Sequence, residues 1–450
     1  MNRSAMEDLI AWKNRNGRKP LILRGARQVG KTWLMKEFGK RHFESVAYVN
    51  FEDNPRMERL FLADLDIPRI LQGLSIETGV AIDPEKTLLI FDEVQAVPRA
   101  LTSLKYFNEN APGIAIVAAG SLLGIALHPG TSFPVGKVEF LDLHPLSFLE
   151  YLEAIGEESL VETLSRKDWT LLGVFHERLT ELLKSYLLVG GMPEAVVAYT
   201  ATQNPMDARN VHGRILEAYE QDFSKHAPPS TVPRIRMLWK SLPSQLAREN
   251  RKFLYDLVKE HARAREYELG LLWLVDSGLV HQVHRVSKPS MPLAAYQDLK
   301  AFKLFCVDVG LLATMARLDP RSVLEGDKVF EEFKGALTEQ YVCQQLLSLS
   351  GPRRNPTPFY WSSERSDGEI DFVLQLEGAI IPLEVKASEN LQAKSLRAYR
   401  DAFAPPLCVR TSLAGYRREE WLLNLPLYAV SLVPWALEDH AGRASRTFPR

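Results

Sequence analysis

The sequence predicts an α/β protein in three parts: a parallel sheet covered by helices, a helical middle region and a second α/β unit. Three observations predict it. Between residues 20 and 145, short apolar runs alternate with longer stretches of helical periodicity. From about residue 146 the pattern is mainly helical, and from about residue 327 a helix is followed by several strands. Alternation of strands with helices is typical of parallel sheets, because each crossover between parallel strands needs the length of a helix.

Composition limits the classes of protein that this chain can represent. Its 450 residues allow two or three domains, each with its own core. Apolar residues make up 46% and charged residues 25%, which is typical of a globular protein and excludes a disordered chain. The formal net charge is −1, so a surface that binds nucleic acid must be a local basic patch.

The cysteines predict a reducing environment. Cys306, Cys343 and Cys408 are widely separated and form no CxxC pair, so we expect neither a disulfide framework nor a zinc ribbon, and we expect a cytoplasmic protein. The first twenty residues contain no apolar segment, so no secretory signal is expected. No stretch of about twenty apolar residues predicts a membrane span.

Five short apolar runs predict the strands of the first part, residues 1–145. They are PLILRG, SVAYVNFE, TLLIFDEV, GIAIVAAGS and GKVEFLDL. Several are apolar throughout, as expected for strands that are covered on both faces. The stretches between most of them are long enough for a helix, so we expect a parallel sheet.

A glycine-rich loop follows the first of these strands. It fits the pattern G-x-x-x-x-G-K-[ST] and consists of Gly25, Ala26, Arg27, Gln28, Val29, Gly30, Lys31 and Thr32. Glycines let backbone N–H groups surround β-phosphate oxygens, and the helix that begins after Gly30 adds its positive dipole end. Lys31 is expected to reach the β- and γ-phosphates, and the Thr32 hydroxyl to ligate Mg²⁺. The loop therefore predicts a site for ATP with Mg²⁺.

Acidic residues at the end of the strand TLLIFDEV extend this site. Asp92 is expected to hold the hydrated Mg²⁺ beside Thr32, and Glu93 to polarise the attacking water. This pair predicts hydrolysis rather than binding alone. Ser121, at the end of IVAAGS, lies where a polar side chain contacts the γ-phosphate or the water; the alternative is an ordinary turn residue.

Five segments together resemble a known group of proteins. RGARQVGKT, LLIFDEVQ, AAGS, HPLSFLEYL and GGMPEAV look like the AAA+-type P-loop ATPases of bacteria and archaea that carry a C-terminal domain of uncharacterised function. The resemblance covers essentially the whole chain. It implies sites completed between subunits, hence a homo-oligomer. Before the PLSF segment the family often has Gly-Arg, whose arginine is a candidate finger that acts on the site of a neighbouring subunit. This chain has Gly136 and Lys137 there, and because lysine lacks the planar fork of arginine, the resemblance does not extend the finger role to Lys137.

The middle region is expected to contain a helical lid, residues 146–230, and a winged-helix-like connector, residues 231–326. LLWLVDSGLVHQVHRV indicates the end of a helix followed by a strand pair. The connector is also rich in basic residues: Arg234, Arg236, Lys240, Arg248, Arg251, Lys252, Lys259, Arg263 and Arg265. Such a face is consistent with binding to DNA phosphates and equally with a solvated helix surface.

The tail, residues 327–450, contains a second arrangement of acidic and basic residues. In GEIDFVLQLEGAIIPLEVKAS, Glu384 and Lys386 are two apart and so share a strand face, with Asp371 across the hairpin. We expect Asp371 and Glu384 to bind Mg²⁺ or Mn²⁺, and Lys386 to orient or activate a water molecule.

This arrangement resembles the PD-(D/E)xK nucleases, in which a glutamate from the preceding helix often joins the metal site. Glu339 is the matching residue. The resemblance implies a restriction-endonuclease-like fold that acts on DNA under the control of the ATPase. The alternative is an ATP-dependent switch whose tail only binds. The sequence does not distinguish DNA from RNA.

Overall fold

The computed structural model describes residues 1–120, 134–248, 252–325, 331–349, 357–363, 368–389 and 392–437. Ser121 and Arg251 therefore lie outside the described residues. The chain divides into two compact units. The N-terminal unit comprises Asn2–His144 and Trp273–Leu279, and the C-terminal unit comprises Pro145–Leu272 and Val280–Arg450.

The N-terminal unit is a parallel sheet with helices between its strands. Its elements are α1 (Ala5–Lys13), β1 (Leu21–Arg24), α2 (Lys31–His42), β2 (Ser45–Asn50), α3 (Pro55–Ala63), α4 (Ile67–Thr78), β3 (Thr87–Asp92), α5 (Pro98–Asn110), β4 (Ala115–Ala119) and β5 (Glu139–Asp142). The strand order is β2-β3-β4-β1-β5, with every pairing parallel. The predicted parallel α/β sheet is confirmed.

The order of the strands places the two predicted motifs at the same edge. β4 lies between β1, which leads into the glycine-rich loop, and β3, which ends at Asp92. All residues of β3 and β4 are buried, which explains why their sequences are apolar throughout. Because parallel strands end at one edge of a sheet, the loop and the acidic residues meet there.

The C-terminal unit begins with helices and ends with a mixed sheet. Its helices are α6 (Phe148–Ala154), α7 (Glu158–Arg166), α8 (Trp169–Val174), α9 (His176–Val189), α10 (Pro193–Thr202), α11 (Pro205–His226), α12 (Val232–Leu246), α13 (Ala264–Asp276), α14 (Val309–Met315), α15 (Pro320–Glu325), α16 (Glu331–Leu347) and α17 (Lys394–Phe403). The last turn of α13 belongs to the N-terminal unit.

The strands of this unit form one sheet of eight. They are β6 (Val280–Val286), β7 (Gln297–Cys306), β8 (Phe359–Ser362), β9 (Glu369–Leu376), β10 (Ala379–Val385), β11 (Cys408–Ser412), β12 (Arg417–Arg418) and β13 (Leu422–Pro426). The order is β12-β13-β11-β10-β9-β8-β6-β7. The β6–β7 hairpin, which the sequence assigns to a separate connector, extends the sheet of the tail because β6 pairs with β8 in parallel. A boundary near residue 326 thus does not separate two sheets.

The segments GGMPEAV and HPLSFLEYL, which carry part of the family resemblance, have structural roles in this unit. Gly190 and Gly191 end α9 against other backbone and side-chain atoms: a Cβ on Gly190 would lie 2.1 Å from Asp308 Oδ1, and one on Gly191 would lie 2.1 Å from the Leu146 carbonyl oxygen. In HPLSFLEYL, Ser147 and Glu150 form a capping box at the start of α6. These residues position helices, and the close approaches require glycine at both positions.

Buried glutamines of α16 bind the backbone of β7 and of two helices in the same unit. Gln340 both accepts from and donates to the backbone of Cys306, at 2.8 and 2.7 Å. Gln344 accepts from the Val309 N–H at 2.9 Å, and Gln345 accepts from the Phe148 N–H at 2.7 Å.

Within the described part of the chain, no helix is both long and apolar enough to cross a membrane.

Candidate functional site

The glycine-rich loop joins β1 to α2 in an unusual backbone conformation. Gly25, Gln28 and Gly30 all have positive φ, at 144°, 67° and 95°. A Cβ on Gly25 would lie 2.2 Å from the Leu143 carbonyl oxygen, so only glycine fits there. Ala26 and Val29 are buried, and a sequence-distant residue, Arg3, donates to the Val29 carbonyl at 2.9 Å.

Lys31 is held inside this loop. Its side chain is buried, and Nζ donates to the carbonyl oxygens of Gly25 and Ala26 at 2.8 and 2.7 Å. Burial lowers the pKa of Lys31 to about 8, although Glu93 and Asp92 oppose the shift. The protein itself thus stabilises the protonated form of Lys31 only in part.

Asp92 lies at the centre of the neighbouring polar contacts. The Thr32 hydroxyl donates to Asp92 Oδ2 at 2.7 Å, and the Tyr48 hydroxyl donates to the same oxygen at 3.0 Å. The Glu93 N–H donates to Asp92 Oδ1 at 3.1 Å. Hydroxyl and carboxylate oxygens are ligands that Mg²⁺ accepts, directly or through its waters, so the side chains of Thr32 and Asp92 fit such an ion.

Tyr48, on β2, was not predicted from the sequence. Burial and the nearby Asp92 raise its pKa to about 12, so it stays a hydrogen-bond donor at any physiological pH. Lys36 lies over its ring, with Nζ 3.7 Å from the centroid. The only sequence signal is a tyrosine near the end of an apolar strand, which many buried strands share.

Glu93 has a strained backbone. Its φ is 49°, in the left-handed region, and Gln95 Nε2 donates to its Oε2 at 2.5 Å. Non-glycine residues in this region cost about 1–3 kcal/mol and persist where the surrounding structure fixes them. The strand end and Gln95 together fix the direction of the Glu93 carboxylate.

Lys137 lies where the family often has the arginine of Gly-Arg. Its Nζ is paired with Glu109 Oε1 at 3.0 Å.

The tail residues Asp371, Glu384 and Lys386 lie close together. The antiparallel register of β9 and β10, in which Phe372 faces Leu383, brings Asp371 opposite Glu384. Asp371 Oδ2 accepts from the Val385 N–H at 2.7 Å, and Lys386 Nζ lies 2.9 Å from Glu384 Oε1.

One oxygen of this group has no partner. Glu384 is 3% exposed, and its Oε2 is buried without a hydrogen bond to any described residue. Burial raises the pKa of Glu384, and Asp371 adds to this, whereas Lys386 and Arg410 oppose it. A buried carboxylate oxygen without a donor is a position that a cation would satisfy. Arg410 faces Glu384 from β11 and was not identified from the sequence.

Glu339 is placed differently from the prediction. Its Oε2 lies 3.5 Å from Nζ of Lys303, which is completely buried, and the same Nζ lies 2.6 Å from Glu369 Oε1. Among the described residues, no three or more His, Cys, Asp or Glu side chains are grouped so that they could hold a metal. The grouping of Glu339 with Asp371 and Glu384 is therefore not found in the described part of the chain, and Glu339 is instead paired with the ammonium group of Lys303 on β7.

Comparison with known families identifies the class of the N-terminal unit. Residues 17–152 match a family described as "AAA domain". Together with the sheet order and the loop, this match makes the N-terminal unit a P-loop ATPase domain of the AAA type. Residues 180–322 and 334–429 match two families described as domains of unknown function, DUF8612 and DUF4143.

Individual relatives are distant. The chain is 26% identical over 194 residues to the uncharacterised protein MJ1637 of Methanocaldococcus jannaschii, a match that covers 40% of each chain. Among solved structures, it is similar to the Walker-type ATPase PABY2304 of Pyrococcus abyssi, with 15% identity, a TM-score of 0.44, and coverage of 70% of this chain and 95% of that one. Orc1 of Aeropyrum pernix, solved in complex with DNA, gives 12% identity, a TM-score of 0.28, and coverage of 70% and 90%.

Proposed function

We propose that this protein binds and hydrolyses ATP, and that its nucleotide state controls a nuclease-like tail that acts on DNA. The observation that carries the first half is the contact between the Thr32 hydroxyl and the Asp92 carboxylate, beside a loop that holds Lys31. Lys31 and Thr32 begin α2, after the loop that follows β1, and Asp92 ends β3, so the three groups meet at one edge of the sheet. Their chemistry matches a nucleotide phosphate with its Mg²⁺.

Each residue of the ATPase site has a distinct part in this proposal. Backbone N–H groups of the loop and the ammonium of Lys31 bind the β- and γ-phosphates. Thr32 and Asp92 would hold Mg²⁺, which supplies charge neutralisation at the transferred phosphate. Glu93 orients the attacking water and accepts its proton, and Gln95 keeps the Glu93 carboxylate aligned. Ser121 is proposed to contact the γ-phosphate or this water.

For the tail, we propose that Asp371 and Glu384 hold one Mg²⁺ or Mn²⁺ and that Lys386 orients the water that attacks a phosphodiester. The unsatisfied Oε2 of Glu384 supports a cation at this position. So does the order of elements: helix α16, then β9 with Asp371, then β10 with Glu384. A restriction-endonuclease-like fold is the arrangement that this order favours.

A cationic helix supports nucleic acid as the partner. α12 and the two residues after it carry Arg234, Arg236, Lys240 and Arg248, all exposed, and no acidic residue. None of the four forms an ion pair with a carboxylate in the described part of the chain. By contrast, the basic residues of segment 252–268 alternate with Asp256, Glu260, Glu266 and Glu268. Of the basic residues predicted over the connector, those of α12 and the two residues after it therefore form the surface that we propose for nucleic acid. Their positive charge is not balanced by neighbouring carboxylates and is available to phosphates.

The alternative function is an ATP-dependent switch whose tail only binds. One observation favours it: lysines already neutralise the tail carboxylates, with Lys386 on Glu384 and Lys303 on Glu339 and Glu369. A site with internal counter-ions has less need of metal. Loss of cleavage but retention of binding on replacing Lys386 would identify a nuclease, whereas a switch has no cleavage to lose.

The proposal extends to assembly and environment. ATPase sites of this kind are commonly completed between subunits, so we propose a homo-oligomer. Cys306, Cys343 and Cys408 are all buried and unpaired, which supports a reducing cytoplasm.

Two variants test the ATPase half. Lys31→Ala should lose ATP binding, because the loop then lacks its charge. Glu93→Gln should bind ATP as the wild type does and turn over about 10²-fold more slowly, as expected when a general base is removed. Equilibrium binding of a fluorescent ATP analogue and steady-state phosphate release give the two quantities. Glu44→Gln, which removes an exposed acid, is the control.

Unchanged ATP affinity in Lys31→Ala would remove the phosphate role of the loop. Wild-type turnover in Glu93→Gln would assign the base to another residue and leave binding intact.

A further inference from the structure

Arg3 is a buried arginine whose side chain reaches the glycine-rich loop. It is 7% exposed. Its Nη1 donates to the Val29 carbonyl oxygen at 2.9 Å, and its Nη2 donates to the His144 carbonyl oxygen at 2.6 Å. One guanidinium thus binds two segments that lie far apart in the sequence, and its planar fork of N–H groups is suited to such a double contact.

The helix that follows Arg3 is fixed within the ATPase domain. The ring of Trp12 on α1 packs on Phe38 of α2, with the ring centroids 6.3 Å apart. Trp12 Nε1 also donates to the Lys19 carbonyl oxygen at 2.8 Å. The packing of α1 on α2 therefore fixes the position from which the Arg3 side chain reaches the loop.

The bond to Val29 acts on the peptide that precedes α2. This peptide is trans, and in a trans peptide the C=O of one residue and the N–H of the next point in opposite directions. A guanidinium bound to the Val29 C=O therefore directs the Gly30 N–H away from Arg3. Gly30 has a φ of 95°, and glycine itself offers little resistance to rotation of the peptide, so the direction has to be fixed by a contact from outside.

We propose that Arg3 is a positioning residue of the ATP site, which fixes the Val29–Gly30 peptide so that the Gly30 N–H faces the β-phosphate. This inference rests on the proposed binding of ATP. Without Arg3 the peptide is free to turn, and its C=O can replace its N–H on the phosphate side. A carbonyl oxygen in that position repels the phosphates, because both carry negative charge.

Nucleotide affinity and amide hydrogen exchange of the full-length protein together test this role. Arg3→Ala should bind ATP and ADP about tenfold more weakly, by the same factor, because both carry a β-phosphate. In the nucleotide-free protein, the amides of residues 29–32 should exchange faster in this variant than in the wild type. Guanidinium ion, at concentrations that leave the Tm unchanged, should restore part of the affinity, and sodium chloride at the same concentrations should not.

Trp12→Phe is the matched control. Like Arg3→Ala, it removes a side-chain hydrogen bond to a backbone carbonyl, but the Lys19 carbonyl lies outside the glycine-rich loop. It should keep the wild-type affinity for ATP and the wild-type hydrogen exchange of the loop. Arg3→Lys, which keeps the charge but lacks the planar fork, guards against loss of folding and should show an intermediate affinity.

Wild-type ATP affinity in every Arg3 variant that folds would overturn the proposal. An equal loss of affinity in Trp12→Phe would also overturn it, because the loss would then follow from the packing of α1. If the wild type binds neither ATP nor ADP, the proposed function fails instead. Unchanged hydrogen exchange of residues 29–32 in Arg3→Ala would then overturn the role of Arg3 as well.

Discussion

Lys31 shows at the scale of one residue how burial prepares a binding site. Inside the loop its ammonium donates to two carbonyl oxygens, and burial lowers its pKa to about 8. A nucleotide phosphate would raise that pKa, because an opposite charge in contact favours the protonated form. Nucleotide binding is therefore linked to proton uptake by Lys31.

The linkage gives a pH dependence with a definite sign. ATP affinity should be constant below about pH 8, where Lys31 of the free protein is protonated, and should fall by roughly tenfold per pH unit above it. Calorimetry of ATP binding in buffers of different ionisation enthalpy should show that binding takes up a proton at about pH 8.5. Lys31→Arg, charged throughout this range, should bind without that uptake. An affinity that stays flat to about pH 9.5 in the wild type would contradict this linkage.

Residues whose positions depend on local spacing were placed from the sequence, and residues that are placed by tertiary contacts were not. Lys31 and Thr32 follow from the loop pattern, and Asp371 lies near Glu384 because a short hairpin connects them. The place of Glu339 depends on Lys303, 36 residues earlier in the chain. No pattern within one segment indicates that a strand from the middle region would deliver an ammonium to this carboxylate.

At the scale of elements, the segment after α13 contacts the glycine-rich loop. Gly278, in the part of the N-terminal unit formed by Trp273–Leu279, has a φ of 72°. A Cβ placed there would lie 3.2 Å from the Ala26 backbone nitrogen. A side chain at this position would therefore require the backbone at Ala26 to shift by a few tenths of an ångström.

Gly278→Ala should therefore weaken ATP binding, by displacing Ala26 in the loop. Gly79→Ala is a matched control, because Gly79 also has a positive φ, 70°, but a Cβ added there would meet nothing within 4 Å. Both variants should lose similar stability from the strained backbone, about 1 kcal/mol. Only Gly278→Ala should show several-fold lower ATP affinity. Equal affinity in the two variants would show that the contact does not influence the loop.

The elements themselves were predicted unevenly. The parallel sheet of the N-terminal unit follows from buried apolar strands separated by helices, a pattern that leaves few alternatives. The β6–β7 hairpin was assigned to a separate connector because it follows helices, as the strands of a winged helix do. Its pairing with β8, in which Arg285 faces Tyr360, depends on long-range contacts that periodicity does not report.

At the scale of the whole molecule, the helices and the carboxylate sheet form one compact unit, distinct from the ATPase domain. Within this unit, α16 is joined to the backbone of Cys306, Val309 and Phe148 by hydrogen bonds of Gln340, Gln344 and Gln345. We therefore expect any nucleotide-dependent change that reaches Asp371 and Glu384 to move the helices and the sheet together.

Control of the nuclease-like tail by nucleotide can be measured as DNA cleavage. Single- and double-stranded DNA are incubated with the protein in Mg²⁺ or Mn²⁺, with and without ATP. Glu384→Ala/Lys386→Ala is compared with Arg417→Ala/Glu419→Ala, which removes an exposed acid–base pair of the same spacing. We expect metal-dependent cleavage that ATP changes, that the first variant loses and that the second keeps. No cleavage under any condition, with ATP hydrolysis intact, would contradict the proposed function and favour the switch.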